Sequence, residues 1–217
     1  MHYLVFLGST RTEGAPRPTR LGWRVAQACL RLLEESGVRT TLVDPLTVPR
    51  EENFRPHFSY PKGRVPEALD ALAGQIRSAD GYVMISPEYN HSMSPALADL
   101  LNHFGSSLFS YRPSAIVSYS AGQWGGTRAA VAMRAFLSEL GCLPVSAMIH
   151  VPRAGEALTE DGDFAAGEDG EAWSGYFGRT FSQLAWWAEA CQAQWDRRDP
   201  ASDAPAFQRN PSQRNAP

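Results

Sequence analysis

The chain has 217 residues, 43% hydrophobic and 20% charged, an ordinary composition for a folded globule and, at about 150 residues per domain, enough for one α/β domain with appendages rather than two. It carries 23 Asp and Glu against 20 Lys and Arg, a formal charge of -3, which leaves no basic surface for a nucleic-acid backbone. Lys62 is the only lysine, so Walker-type or Schiff-base lysine chemistry is excluded elsewhere, and Cys29, Cys142 and Cys191 stand far apart, as core residues of a reduced, intracellular chain do.

A strand-like run at 3–7 opens the chain with no basic segment or cleavage site before it. No apolar stretch reaches the ~18–20 residues of a membrane span, so a cytoplasmic protein without membrane contact is expected. Leu21, Val25, Ala28 and Leu32 then repeat at helical spacing, and Ser36-Gly37 supplies glycine where a left-handed C-cap is wanted. The second strand is predicted over 38–43, with Asp44 as a strand-end cap. The following connection, 45–66, is rich in Pro and Arg and longer than a compact crossover needs, which fits the wall of a site or interface.

Leu69, Leu72, Ala73 and Ile76 mark the next helix, and 81–86 the third strand. Leu97, Leu100, Leu101, Phe104 and Leu108 form a core stripe, followed by a strand over 115–120. Ala130, Met133, Leu137 and Leu140 define a helix stopped at Gly141, and 144–151 is the fifth strand. The segment 155–171 holds seven acidic residues and no basic one; Ala165, Ala166 and Ala172 break the calcium-loop pattern, so it reads as a solvated loop. Phe181, Leu184, Ala188 and Cys191 outline the last helix, on which Trp186 and Trp187 cannot both face the centre of one core. Beyond it, 199–217 has four prolines and no periodicity, and reads as a disordered tail to a domain spanning 1–198. His57, His91, His103 and His150 lack metal-ligand spacing, and no metal is expected.

The strand runs are mostly continuous and apolar, as in strands covered on both faces, and they alternate with helices. That pattern implies a three-layer, doubly wound α/β fold with a five-stranded parallel sheet. In such folds ligands sit beyond the carboxyl ends of the strands, at the point where strand order reverses.

Three loops could carry chemistry there. Gly8-Ser9-Thr10-Arg11 runs through Arg17-Pro18-Thr19-Arg20 into a helix, and hydroxyls, guanidinium groups and helical N–H donors suit a phosphate monoester. The loop is neither a G-x-G-x-x-G fingerprint nor a Walker A loop, and on its own it is equally compatible with an ordinary N-cap. The stretch Ser86-Pro87-Glu88-Tyr89-Asn90-His91 leads to Ser94-Pro95 at a helix start, a rigid loop able to edge a flat heterocycle. Gly122, Gly125 and Gly126, after Ser118-Tyr119-Ser120, allow close backbone approach to a ligand. Ser118-x-Ser120-x-Gly122 resembles a nucleophile elbow but begins on Ser rather than Gly, and Glu139 is the only acidic residue between Ser120 and His150, which argues against a hydrolase. With strand order 2-1-3-4-5 the three loops converge on one crevice, and together they describe a flavin mononucleotide (FMN) site.

Gly8-Ser9-Thr10-Arg11, Pro87-Glu88-Tyr89-Asn90 with Ser94-Pro95-Ala96-Leu97, and Ser120-x-Gly122-x-x-Gly125-Gly126 together resemble the NADPH-dependent FMN reductase family of flavodoxin-like proteins, which also includes azo and quinone reductases. The resemblance covers about residues 1 to 195. It implies that the FMN phosphate rests on Ser9, Arg11, Arg17, Pro18 and Thr19, the flavin edge on Pro87, Glu88, Tyr89 and Asn90, and the other side of the ring by Ser120, Gly122, Trp124 and Gly125. The first loop departs from the pattern by an insertion over 12–16, which leaves open which of Arg17, Thr19 and Arg20 meets phosphate. The implied reaction uses no protein acid or base: NADPH reduces the flavin and is replaced by a flavin, quinone or azo acceptor, while the amides of Tyr89 and Asn90 position the ring. A homodimer or homotetramer, built in part on the helix after Ser94, is also implied. Two other readings stay open: a reductase dedicated to one small molecule, and an FMN-binding electron carrier or redox sensor that does not oxidise NADPH.

Overall fold

The computed structural model describes residues 1–198 apart from 16, 50 and 52, so the tail expected over 199–217 lies outside the described residues. Strand β1 (His2–Leu7) lies between β2 (Arg39–Val43) and β3 (Gly81–Pro87), and β4 (Pro113–Tyr119) follows beyond β3. All pairs are parallel, with Val5 opposite both Leu42 and Val83 and Ile85 opposite Val117. The last sheet position is shared by β5 (Leu143–Pro144) and β6 (Ile149–Val151), both paired with β4, which completes the flavodoxin-like order 2-1-3-4-5.

Side-chain parity sorts the sheet into two cores. Val5, Leu7, Val83, Ile85 and Val117 face Val25, Cys29 and Leu33 of α1 (Leu21–Glu35) and Phe177, Phe181 and Leu184 of α7 (Gly170–Trp195). Leu4, Phe6, Tyr82, Met84 and Ile116 face α2 (Glu67–Ser78), α3 (Pro95–Asn102), the short α4 (Ser106–Phe109) and α5 (Thr127–Glu139). With both faces covered, the central strands have no polar side to alternate with, hence the continuous apolar runs. The stripe Leu97, Leu100, Leu101, Phe104 and Leu108 is buried as expected, and Gly37 and Gly141 take the left-handed conformation at 78° and 100°.

Three expectations are corrected. The fifth strand is not continuous over 144–151: side chains replace the ladder between β5 and β6, where Gln183 accepts from the Ala147 amide at 2.9 Å and Arg134 donates to the Val145 carbonyl at 3.0 Å. The acidic segment 155–171 is not simply a solvated loop. It begins in the short helix α6 (Ala154–Ala157), buries Leu158, and bridges Leu158 to Phe164. Arg24 and Arg31 of α1 hold it, through the Leu158 carbonyl at 2.7 Å and the Asp163 carboxylate at 3.2 Å. The last helix starts at Gly170, where Asp169 caps it by accepting from the Ala172 amide, so it extends well ahead of the predicted pattern. Trp186 and Trp187 are 63% and 39% exposed on its outer face.

The connection 45–66 folds over the end of α3, where the His57 amide donates to the His103 carbonyl and Phe54 meets the His103 ring edge-on at 4.8 Å. No helix of the described residues is long and apolar enough to cross a membrane.

Candidate functional site

The three loops meet at the carboxyl ends of β1, β3 and β4 around a cavity of about 350 Å³. Its volume lies within the range of small-molecule sites, roughly 300–1,000 Å³.

The first loop leaves β1 in close contact with the sheet. A Cβ on Gly8 would stand 2.6 Å from the Ile85 carbonyl oxygen and 2.9 Å from the Ser94 hydroxyl, so only glycine fits. Ser9, Arg11 and Arg20 line the cavity. Arg20 takes a left-handed conformation at the head of α1, which turns its guanidinium back to the Ser9 carbonyl at 3.0 Å and the Asp44 carboxylate at 2.5 Å. Asp44 also accepts from the Leu46 amide, so the strand-end cap expected of it anchors a cation as well. Arg11 lies across its own loop and donates to the Glu13 and Gly14 carbonyls over long distances of 3.4 and 3.3 Å, with no carboxylate against it among the described residues.

Arg17, Pro18 and Thr19 do not join this group. They line a separate, larger cavity on the other side of Arg20. Arg20, which donates to the Ser9 carbonyl, is the arginine of this stretch that lies beside Ser9.

Tyr119, the last residue of β4, completes the cavity floor. Its phenol reaches Ser9 and the start of α1, and burial pushes its pKa up, so it stays protonated. A Cβ on Gly22 would lie 2.4 Å from this hydroxyl. Sequence reasoning missed Tyr119. The available signal was parity, because Ala115, Val117 and Tyr119 share the face that carries α1, and the last of them must reach the helix N-terminus.

In the second loop Asn90 and His91 both have positive φ, 51° and 62°, in a tight turn closed by the Tyr89 amide donating to Ser92 and the Ser92 amide donating back. Asparagine tolerates that conformation, as the two-residue hairpin turn requires. The Tyr89 amide, expected at a ring edge, donates here to Ser92, and the Asn90 amide makes no hydrogen bond among the described residues. Ser94 caps α3 by accepting from the Leu97 amide, with Pro95 at its first turn. Pro87, Glu88 and Tyr89 line the cavity, and the Tyr89 ring is 49% exposed.

Glu88 ties this loop to the third. Its carboxylate accepts from the Arg128 guanidinium at 2.8 Å and the Arg128 amide at 3.2 Å. Burial alone would raise its pKa, but the Arg128 side chain and the amides of Arg128 and Ala129 outweigh it and hold the carboxyl below its ordinary range.

In the third loop the Ser120 hydroxyl donates to the Gly122 carbonyl and accepts from the Gly125 amide, stapling the turn. Of the three glycines only Gly122 opens on free space, since a Cβ there would meet nothing within 4 Å. Gly125 and Gly126 serve the backbone instead, with φ of 60° and 75°; a Cβ on Gly125 would sit 3.2 Å from His150. Trp124 is 61% exposed, with the Arg128 guanidinium 5.9 Å from its ring. The buried Ser118 donates to the Gly125 carbonyl and receives His150 Nδ1 at 2.8 Å. Burial, then the nearby Arg179, lowers the His150 pKa. The histidine thus pairs with the wrong serine for an elbow, and Ser118 is inaccessible, so the geometry opposes a hydrolase.

The donor set fits a bound flavin phosphate: two guanidinium groups, a serine, a protonated phenol and the start of a helix suit a dianion. Residues 1–156 match the family model described as NADPH-dependent FMN reductase. The chain belongs to that family. Its curated relatives include an NADPH azoreductase of Bacillus sp., 38% identical over 72 residues, or 33% of this chain and 40% of the relative. An NAD(P)H-dependent FMN reductase of Pseudomonas aeruginosa is 34% identical over 84 residues, 37% of this chain and 45% of the relative. The Escherichia coli quinone reductase is 37% identical over 75 residues, 33% of this chain and 40% of the relative. The matches thus span less than half the length of each of these relatives. Among solved structures, the flavoenzyme NAD(P)H:(acceptor) oxidoreductase from Paracoccus denitrificans superposes with a TM-score of 0.65 at 18% identity, covering 87% of this chain and 97% of that one. At that identity the likeness shows the shared fold.

Proposed function

We propose that this protein binds FMN noncovalently in the strand-end cavity and acts as an NAD(P)H-dependent oxidoreductase on small quinone, azo or flavin acceptors. The observation that carries the reading is the meeting, in one cavity, of a phosphate-suited donor set with Pro87, Glu88 and Tyr89 of the second loop and Ser120 and Ala121 of the third. Ser9, Arg11, Arg20 and Tyr119 hold the phosphate end. Pro87, Tyr89 and Ala121 line the other end of the cavity, and Gly122 and the exposed Trp124 follow in the third loop. Bound FMN supplies the redox chemistry, taking reducing equivalents from the nicotinamide and passing them to the acceptor.

The protein's part is positioning. Glu88, the one carboxylate in the cavity lining, is neutralised by Arg128, and the Tyr119 phenol keeps its proton. Neither is poised to titrate near neutral pH, which supports chemistry confined to the cofactor. The Glu88 to Arg128 contact fixes the two loops that face each other across the ring. A homodimer belongs to the same reading, supported by the exposed aromatic surface of Phe54 and Phe58 beside α3.

The test is optical. The purified protein, incubated with FMN and desalted, is expected to be yellow and to bleach anaerobically on addition of NADPH or NADH. Retained colour without bleaching would favour the electron carrier, and a protein that takes up no FMN would refute the reading.

A further inference from the structure

The outer face of α7 is left uncovered by the described residues. At 3.6 residues per turn, Glu171, Gly175, Ser182, Trp186, Glu189 and Ala193 fall on one side of the helix, and all six are exposed. The opposite side carries the buried Phe177, Phe181, Leu184 and Ala188. Trp186 stands 63% exposed within the outer stripe, with the Trp187 ring edge-on to it at 4.9 Å.

Gly178 joins Gly175 on that side. Glycine inside a helix is less stable than alanine, and the fold of one chain does not require it here: neither residue has a positive φ, and a Cβ on either would meet nothing within 4 Å. Together they leave a hollow. Gly175, Gly178, Arg179 and Ser182 stand at positions i, i+3, i+4 and i+7, the four corners of a hole that receives one large side chain from a facing helix. Trp186, one turn beyond Ser182, is such a side chain on the same face.

A two-fold axis beside Ser182 lets knob and hole meet twice. With α7 antiparallel to its copy, residues equally far from Ser182 on either side face each other, so Trp186, four positions after it, comes over Gly178, four positions before it. The charges agree with this direction. Glu168, Asp169 and Glu171 gather at the start of α7, whereas Arg197 and Arg198 follow its end with Asp196 as the one acid beside them. Antiparallel pairing sets the acidic end of each helix against the basic end of its copy, and parallel pairing would set like against like.

We propose that the outer face of α7 is a self-association surface, on which two copies of this chain pair antiparallel with each Trp186 seated over Gly175 and Gly178 of the other. The contact lies on a different face from the aromatic surface beside α3 and does not depend on the flavin reading. A chain using both faces forms a closed tetramer.

Sedimentation velocity of the full chain over a range of concentrations tests it. Trp186→Ala and Gly178→Leu are each expected to weaken association about tenfold or more, as loss of a central aromatic contact does. Gly178→Leu is the sharper variant: its side chain enters open space in a single copy and favours the helix, so Tm is kept or raised while the hole is filled. Ser182→Cys brings two thiols together at the axis, and a short bis-maleimide is expected to link that variant, and not the unaltered chain, into a covalent dimer on a denaturing gel. A chain monomeric at every concentration would overturn the proposal. An assembly unchanged by both Trp186→Ala and Gly178→Leu, with no link through Ser182→Cys, would do the same and leave self-association to the face beside α3.

Discussion

Removing Arg20 tests the assignment of the phosphate site most directly. Its guanidinium contacts the Ser9 carbonyl and the Asp44 carboxylate, with side-chain exposures of 15% for Arg20 and 11% for Asp44. Arg20→Ala leaves Asp44 charged and nearly enclosed. Breaking a fully buried pair costs about 3–5 kcal/mol; residual solvent contact at both partners brings the expectation to about 2 kcal/mol of stability. Flavin binding loses a charge-assisted contact to phosphate, worth about 1.5–3 kcal/mol or roughly 10- to 100-fold in Kd.

A double mutant separates the two losses. Asp44→Asn keeps the side-chain oxygen that accepts from the Leu46 amide but removes the charge, so Arg20→Ala with Asp44→Asn recovers much of the stability and none of the FMN affinity. FMN fluorescence quenching on titration with apoprotein gives Kd, and urea unfolding gives stability. FMN affinity of Arg20→Ala within about threefold of the unaltered protein, well under the range expected for a lost charged contact, would refute the placement of the phosphate beside Arg20.

Two further perturbations follow from the same geometry. Gly122→Val should leave stability within about 0.5 kcal/mol, because its side chain enters open space, yet lower FMN retention; an unchanged flavin content after desalting would show that the ring does not approach Gly122. The His150 pKa is lowered in the fold, so between the folded and unfolded values the unfolded chain binds more protons. Its contribution is fully present above the unfolded value of about 6.5 and is lost as pH falls toward the folded one. Stability of the unaltered protein should therefore decline below about pH 6.5, and His150→Gln should flatten that decline; identical pH profiles would remove His150 from the account.

Much of this protein was legible in one dimension. Strands sheathed on both faces leave continuous apolar runs, as at Tyr82 to Ile85, and helices leave a rhythm of three and four residues, as at Leu21, Val25 and Ala28. Glycine at a helix stop is a local requirement, so Gly37 and Gly141 declared themselves. Of the motif residues, Ser9, Pro87 to Tyr89 and Ser120 line the cavity where the topology brings the loops together.

What the sequence left undecided lies in contacts between distant residues. Arg17 and Arg20 are chemically alike and three positions apart; the left-handed turn at Arg20 and Asp44, 24 residues further on, put the Arg20 guanidinium beside Ser9. Tyr119 reads as one more apolar strand residue until the end of β4 is set against the start of α1. The break between β5 and β6 depends on Gln183 and Arg134, and the place of the acidic segment on Arg24 and Arg31, side chains on helices remote in sequence. Backbone periodicity is a property of neighbours along the chain and is written there; which guanidinium meets which carboxylate is settled only when packing fixes their separation, because charge and hydrogen-bond energies are decided over a few ångströms.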